Sequence, residues 1–235
     1  MRKVAALLII LSLLLLASCV TSSGSDGTYS REDCNYTLMY VLGRASTQAL
    51  SDLFLSMNEF NESMVPTEYA FLQAERYEIP GMDRLLDEWA RTTTAFILPV
   101  YDSFSDYITY VVYSTEFEDP VKMVSSGASS ISEYMLKTRG DEIARRISAN
   151  IGDMDVSVWS DVAIQYNAWA TTRDKLLGEH NPRIDTDLTA DQVRDIFSVH
   201  FMKLFMGALQ RAEVLIRTTP DANMDSTAAR VLGLD

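Results

Sequence analysis

The sequence predicts an all-α fold: a single-domain bundle of about eight helices arranged around one long helix near the C-terminus. Three observations carry this. Apolar residues recur at spacings of three and four over most of the chain from Tyr36 onward, the period of a helix with one face turned to a core. Helix-start signals recur with them, Ser, Thr or Asp ahead of an apolar run. No two segments read as strands that could pair.

The first residues are expected to be something other than fold. Residues 1–18 have a basic start (Arg2, Lys3), an apolar run from Val4 to Leu16 and small residues before a cysteine. That is the pattern of an export signal, too short and wrongly flanked for a spanning helix. Leu16-Ala17-Ser18-Cys19 resembles the lipobox of bacterial lipoproteins. The resemblance implies cleavage before Cys19 and acyl chains on it, at about 0.8 kcal/mol of membrane affinity per buried CH₂. Residues 19–33 then read as lipidated cysteine plus tether, since VTSSGSDGTYSRED buries almost nothing. Fourteen such residues average roughly 20 Å end to end, enough to hold a domain just off a bilayer.

Residues 34–235 are expected to be one helical domain. Leu38, Val41, Leu42, Ala45, Ala49 and Leu53 form the first stripe, which ends near Asn61 ahead of Pro66, and a short helix follows at residues 67–75. Ile79-Pro80-Gly81 makes a turn, and Asp83 is the expected cap of a helix through Leu85, Leu86, Trp89 and Phe96. Pro99 kinks that helix or begins the next. Tyr107 to Thr115, YITYVVYST, is β-branched and aromatic enough for a strand, but it has no partner strand and is assigned to helix. Asp119-Pro120 opens a short helix that Gly127 stops. Ser130 and Glu133 read as a capping box for the next, which Gly140 is expected to interrupt. Asp155 caps a segment whose stripe is Trp159, Val162, Ala163, Tyr166, Ala170 and Leu177. Residues 178–187 are a polar loop. The central helix spans residues 190–218, with Val193, Ile196, Phe197, His200, Leu204, Ala208, Ala212 and Leu215 inward, and Phe201, Phe205, Leu209 and Ile216 widening the stripe. Thr189 with Gln192 is its capping box, and Pro220 closes it. A last short helix is expected to be capped by Ser226.

Taken in order, several pieces resemble the bacterial envelope family known as domain of unknown function (DUF) 4197. They are the Ala-rich helix from Leu42 to Phe60, Ile79-Pro80, Ile97-Leu98-Pro99, Ile131 to Arg146, Gln165-Tyr166-Asn167-Ala168, Asp187-Leu188-Thr189, Ala212 to Pro220 and the closing AARVLG. The resemblance implies an all-helical, periplasm-facing domain, and it implies no particular activity.

Composition narrows the partners. Without Arg2 and Lys3 the chain has 18 basic against 33 acidic residues, a surface that repels phosphate backbones, so no nucleic acid is expected. Of the two cysteines, Cys34 is left without a mate in its own chain and reads as a half-buried small residue. No cofactor or metal is expected: a Gly-rich phosphate loop, a paired His, a nucleophile elbow and CxxC are all missing. Asp185, Asp187 and Asp191 are spaced faintly like a calcium loop but lack its Gly and Glu, and read as capping acids. The candidate ligand-binding residues are Tyr166, Asn167, His200 and Arg217. Tyr166 and Asn167, on an otherwise aliphatic helix with Arg217 or Arg146 near, suit a small polar or anionic ligand; a buried network fixing helix register suits them as well. His200, midway along the central stripe, is a ligand or a satisfied core histidine. Catalytic residues are not assigned. The expected function is a membrane-anchored lipoprotein of the bacterial cell envelope, on its periplasmic or surface side, that binds or scaffolds envelope proteins. The alternative is a carrier of an apolar or amphipathic ligand, for which the 11 methionines and 10% aromatic residues would form an adaptable pocket.

Overall fold

A computed structural model describes residues 29–57, 64–152 and 155–235. Cys19 and most of its tether lie outside the described residues, as does Asn61. The helices in chain order are α1 (Arg31–Met57), α2 (Phe71–Ala74), α3 (Met82–Ile97), α4 (Tyr101–Tyr113), α5 (Pro120–Ser125), α6 (Ser130–Ile151), α7 (Ser157–Leu177), α8 (Ala190–Thr218) and α9 (Ser226–Leu232), with 3₁₀ turns at Thr67–Tyr69 and Leu98–Val100. No strand occurs among the described residues. The chain is the multi-helix bundle its periodicity predicts.

The long helix α8 sits at the centre, packed along α1 on one side and α6 on the other. Its start is fixed locally, because the Thr189 hydroxyl accepts the Gln192 N–H and the Gln192 side chain accepts the Thr189 N–H. Phe197, Phe201 and Phe205 are fully buried along it. Phe201 meets Phe54 of α1 at 6.0 Å between ring centroids and Phe104 of α4 at 5.8 Å, so one side chain ties three helices. Burying each such ring contributes about 1.5–3 kcal/mol. The small residues Ala45 and Ala49 on α1 are also buried, leaving the larger side chains of α8 room to interleave. α3 and α7 form a second pair, centred on Trp89 against Trp159 at 5.0 Å, with the Trp89 indole N–H donating to the Met64 carbonyl at 3.1 Å. α4 and α5 lie on α1, and α9 closes over α1.

Several local expectations are corrected. α1 begins at Arg31, inside the stretch read as tether, because the Ser30 hydroxyl accepts the Asp33 N–H and two long bonds hold this end down. The Tyr29 hydroxyl donates to the Arg230 carbonyl at 2.7 Å, and Arg31 donates to the Glu118 carbonyl at 2.8 Å. Cys34 is fully buried, not half-buried. Gly81, with φ of 76°, caps α3 in place of Asp83, a left-handed backbone that glycine adopts without strain. Pro99 sits in the 3₁₀ turn that joins α3 to α4, and YITYVVYST is helical as far as Tyr113.

α6 runs unbroken through Gly140. A Cβ there would come within 3.3 Å of Leu136 and 3.8 Å of Met202 on α8, so this glycine marks a close helix crossing and not a break. α9 is capped by Asp225, which accepts from Thr227 and Ala228, in place of Ser226. Leu215 is 60% exposed although Glu213 and Arg217 on either side of it are buried, so it lies on the outward face of α8; Leu177, the last residue of α7, is also exposed.

Candidate functional site

Of the polar residues singled out by sequence, Arg217 has the densest set of partners. It lies one turn after Glu213 on α8, with guanidinium and carboxylate 3.0 Å apart and their side chains only 4% and 1% exposed. Glu213 Oε1 accepts the Ile131 N–H at 2.9 Å and Oε2 the Ser132 N–H at 2.7 Å. A carboxylate thus sits on the positive end of α6 and takes two of its orphan donors. Arg217 Nη1 donates to the Ser130 hydroxyl at 2.7 Å, and Nη2 donates to the Val124 carbonyl at 2.7 Å, with Met123 and Ser126 carbonyls farther off. The guanidinium therefore sits on the negative end of α5. The expected Ser130/Glu133 box is not what starts α6; Glu133 instead receives the Ser129 hydroxyl at 2.6 Å. Sequence reading overlooked Glu213, although an acid on the inward stripe four residues before an Arg is a visible signal.

Tyr166 and Asn167 stand elsewhere, on α7. The Tyr166 ring is buried against Phe71 at 4.9 Å and Trp169 at 5.8 Å, and burial pushes its hydroxyl up, partly offset by the charge of Arg183. The Asn167 amide clasps the backbone of Ile184, donating to its carbonyl at 2.7 Å and accepting its N–H at 3.0 Å. That pins the loop of residues 178–189 to α7. The same loop is charged at its base: Arg173 forms a two-pronged contact with Glu179 at 2.8 and 2.9 Å and reaches Glu78 at 2.9 Å. Asp174 accepts the Asn181 backbone N–H and its side chain and pairs with Arg183. Those bonds, the Asn181 backbone first, hold the Asp174 carboxyl down at about 2.

His200 is 5% exposed on α8, its Nδ1 3.5 Å from the Thr67 hydroxyl. The four candidates thus serve separate joints of the bundle, and no interaction links Tyr166 or Asn167 with Arg217. Arg146 is likewise apart from them, over the ring of Tyr107. The Asp185 carboxylate accepts the Asp187 N–H and Asp191 pairs with Arg194. Among the described residues no three His, Cys, Asp or Glu side chains gather as a metal would need.

An open groove of about 500 Å³ lies between α4 and α6, lined by Ser103, Asp106, Tyr107, Tyr110 and Arg146. α6 is tied to the segment just after α4, where Arg139 reaches the Ser114 carbonyl and Thr115 meets Met135. The Tyr107 and Tyr110 rings are 6.5 Å apart and 32° from parallel. The Arg146 guanidinium lies 5.5 Å over the Tyr107 ring, a cation–π contact. The Tyr107 hydroxyl is buried beside Glu142 without a well-formed hydrogen bond. Burial, and then the nearby Glu142 carboxylate through both its polar approach and its charge, push it up to about 12. A second open depression is lined by Ser226, Thr227, Ala229, Arg230 and Asp235. Neither is lined by Met or Phe.

No family model, no curated protein and no solved structure matches this chain.

Proposed function

We propose that the protein is a lipid-anchored module of the bacterial cell envelope whose helical body acts by binding or scaffolding envelope partners. The observation that carries the proposal is Leu16-Ala17-Ser18-Cys19 standing behind a basic start and an apolar run. Support comes from the body's own N-terminal end. Tyr29 and Arg31 are bonded to α9 and to the segment before α5, so only residues 20–28 separate Cys19 from a fixed point on the fold. Nine residues reach at most about 32 Å, which keeps the α9 side of the body near the bilayer. No helix of the described residues is long and apolar enough to cross a membrane. The motif order that resembles DUF4197 belongs to the same proposal and brings no activity with it.

Cys19→Ser is expected to move the protein from the membrane fraction to the soluble fraction and to abolish incorporation of a clickable palmitate analogue. Unchanged partition of the variant would end the anchored reading. The carrier reading gains no support from the geometry. Met64, Met82, Met135, Met202 and Met206 are all buried in the core, where their flexible side chains fill gaps between rings.

A further inference from the structure

We propose that the groove between α4 and α6 binds a small zwitterion carrying a free carboxylate and a free ammonium, either an amino acid or a short peptide. Arg146 takes the carboxylate and Asp106 the ammonium. The inference does not rest on the lipid anchor; it rests on two solvent-facing charges that no protein carboxylate or cation pairs with among the described residues. The other two arginines of α6 are engaged: Arg139 pairs with Glu142 at 2.9 Å, and Arg145 donates to the Asp141 carbonyl. Arg146 has the Tyr107 ring as its contact among the described residues, and no carboxylate. Asp106, facing the same groove, has no basic partner there and does not pair with Arg146. A ligand that spans the two meets both charges at once.

The ligand's class follows from three features. A guanidinium with open donors selects a planar carboxylate, which it can bind through two parallel N–H···O bonds. A lone anion would be repelled by a chain of net charge −13, and a lone cation would leave Arg146 unanswered; a ligand of zero net charge satisfies both groups and meets no long-range repulsion. The two tyrosine rings supply flat apolar walls for the atoms between the charges. The Tyr107 ring also restricts the Arg146 guanidinium, so less side-chain freedom is lost on binding. A volume of about 500 Å³ suits a molecule of one to a few residues. Because the groove is open, binding is weak, in the range of about 1–10 mM.

The test is saturation-transfer NMR on the full chain in detergent micelles, with three probes: alanine, alanyl-alanine, and N-acetyl-alanyl-alanine amide, which lacks both charges. Saturable transfer to a zwitterionic probe is expected, with none to the blocked peptide. Arg146→Gln and Asp106→Asn are each expected to weaken it at least about tenfold, the loss of one charged contact, while the thermal midpoint stays put, because both side chains are exposed. Stronger transfer to alanine identifies a single amino acid as the ligand, and stronger transfer to the dipeptide identifies a peptide. Silence from both zwitterions, transfer to the blocked peptide alone, or transfer unchanged in Arg146→Gln overturns the proposal.

Discussion

Glu213 shows how much a single buried side chain can organise. Its carboxylate answers a helix N-terminus, while Arg217 answers both it and a helix C-terminus. Removing one partner leaves the other charge buried and uncompensated, which costs far more than the pair contributes relative to an apolar isostere. Glu213→Ala is expected to lower stability by about 3–5 kcal/mol in urea unfolding. Arg217→Met is expected to fall in the same range. The double variant should cost less than the sum, since neither leaves a lone charge behind. Additive losses would show that the two act independently. The single Gly140 on α6 predicts the opposite sign. Its added methyl would press on the exposed Leu136 side chain and the flexible end of Met202, both able to yield. Gly140→Ala should therefore keep most of the helix-propensity gain of about 1 kcal/mol, whereas Gly140→Leu should destabilise by forcing α6 and α8 apart. Both are read as shifts in the thermal midpoint. Glycine at a helix crossing was misread from sequence because its local cost is visible and its distant neighbour, Met202, is not.

At the scale of elements, the loop of residues 178–189 is held by few groups, and each can be removed. Asn167→Ala deletes both bonds to Ile184 and should cost about 1–2 kcal/mol, with faster tryptic cleavage at Arg183 as the readout. The loop also carries an acid dependence. Asp174 titrates at about 2 in the folded chain, below the ordinary aspartate value of about 3.9. Its contribution is thus fully present above about pH 4 and is lost as pH falls toward 2. NMR signals of residues 178–189 should broaden or shift over that interval in the native protein, and Asp174→Asn should reduce the pH dependence, leaving the part due to Glu179, whose carboxyl Arg173 holds down, while loosening the loop at neutral pH. Elements were legible where their signals are local. Both ends of α8 follow from Thr189, Gln192 and Pro220, all adjacent to the helix they bound. The start of α6 was not legible, because its true cap, Glu213, stands 82 residues on from Ile131. The same holds for the groove: Tyr107 and Arg146 belong to different helices, and nothing in either stretch announces the other. Tyr166 and Asn167 were noticed as polar residues on an aliphatic helix; the partners that explain them, Phe71 and Ile184, come from outside it.

For the whole molecule, periodicity was sufficient to give the all-helical bundle, since a 3.6-residue apolar repeat admits few other arrangements. It could not give the pairing of helices, which depends on how Phe201 and Trp89 interlock with rings from elsewhere in the chain. The first and last described elements are also joined. Tyr29 donates to Arg230, the Arg230 side chain lies 3.8 Å from Asp33, the Tyr40 hydroxyl accepts the Asp225 N–H, and Arg44 pairs with Asp221 at 2.9 Å. A pull applied through residue 29 meets this clasp before it reaches the α1–α8 contact. Tension is therefore shared between the two ends of the described chain, and α1 does not peel off from its first turn alone. Single-molecule stretching from residue 29 should show an early low-force step that disappears in Arg44→Ala with Tyr29→Phe, followed by one cooperative rupture. Steady traction thus challenges this bundle first at a latch within a few residues of Tyr29, ahead of the packed core that heat must loosen.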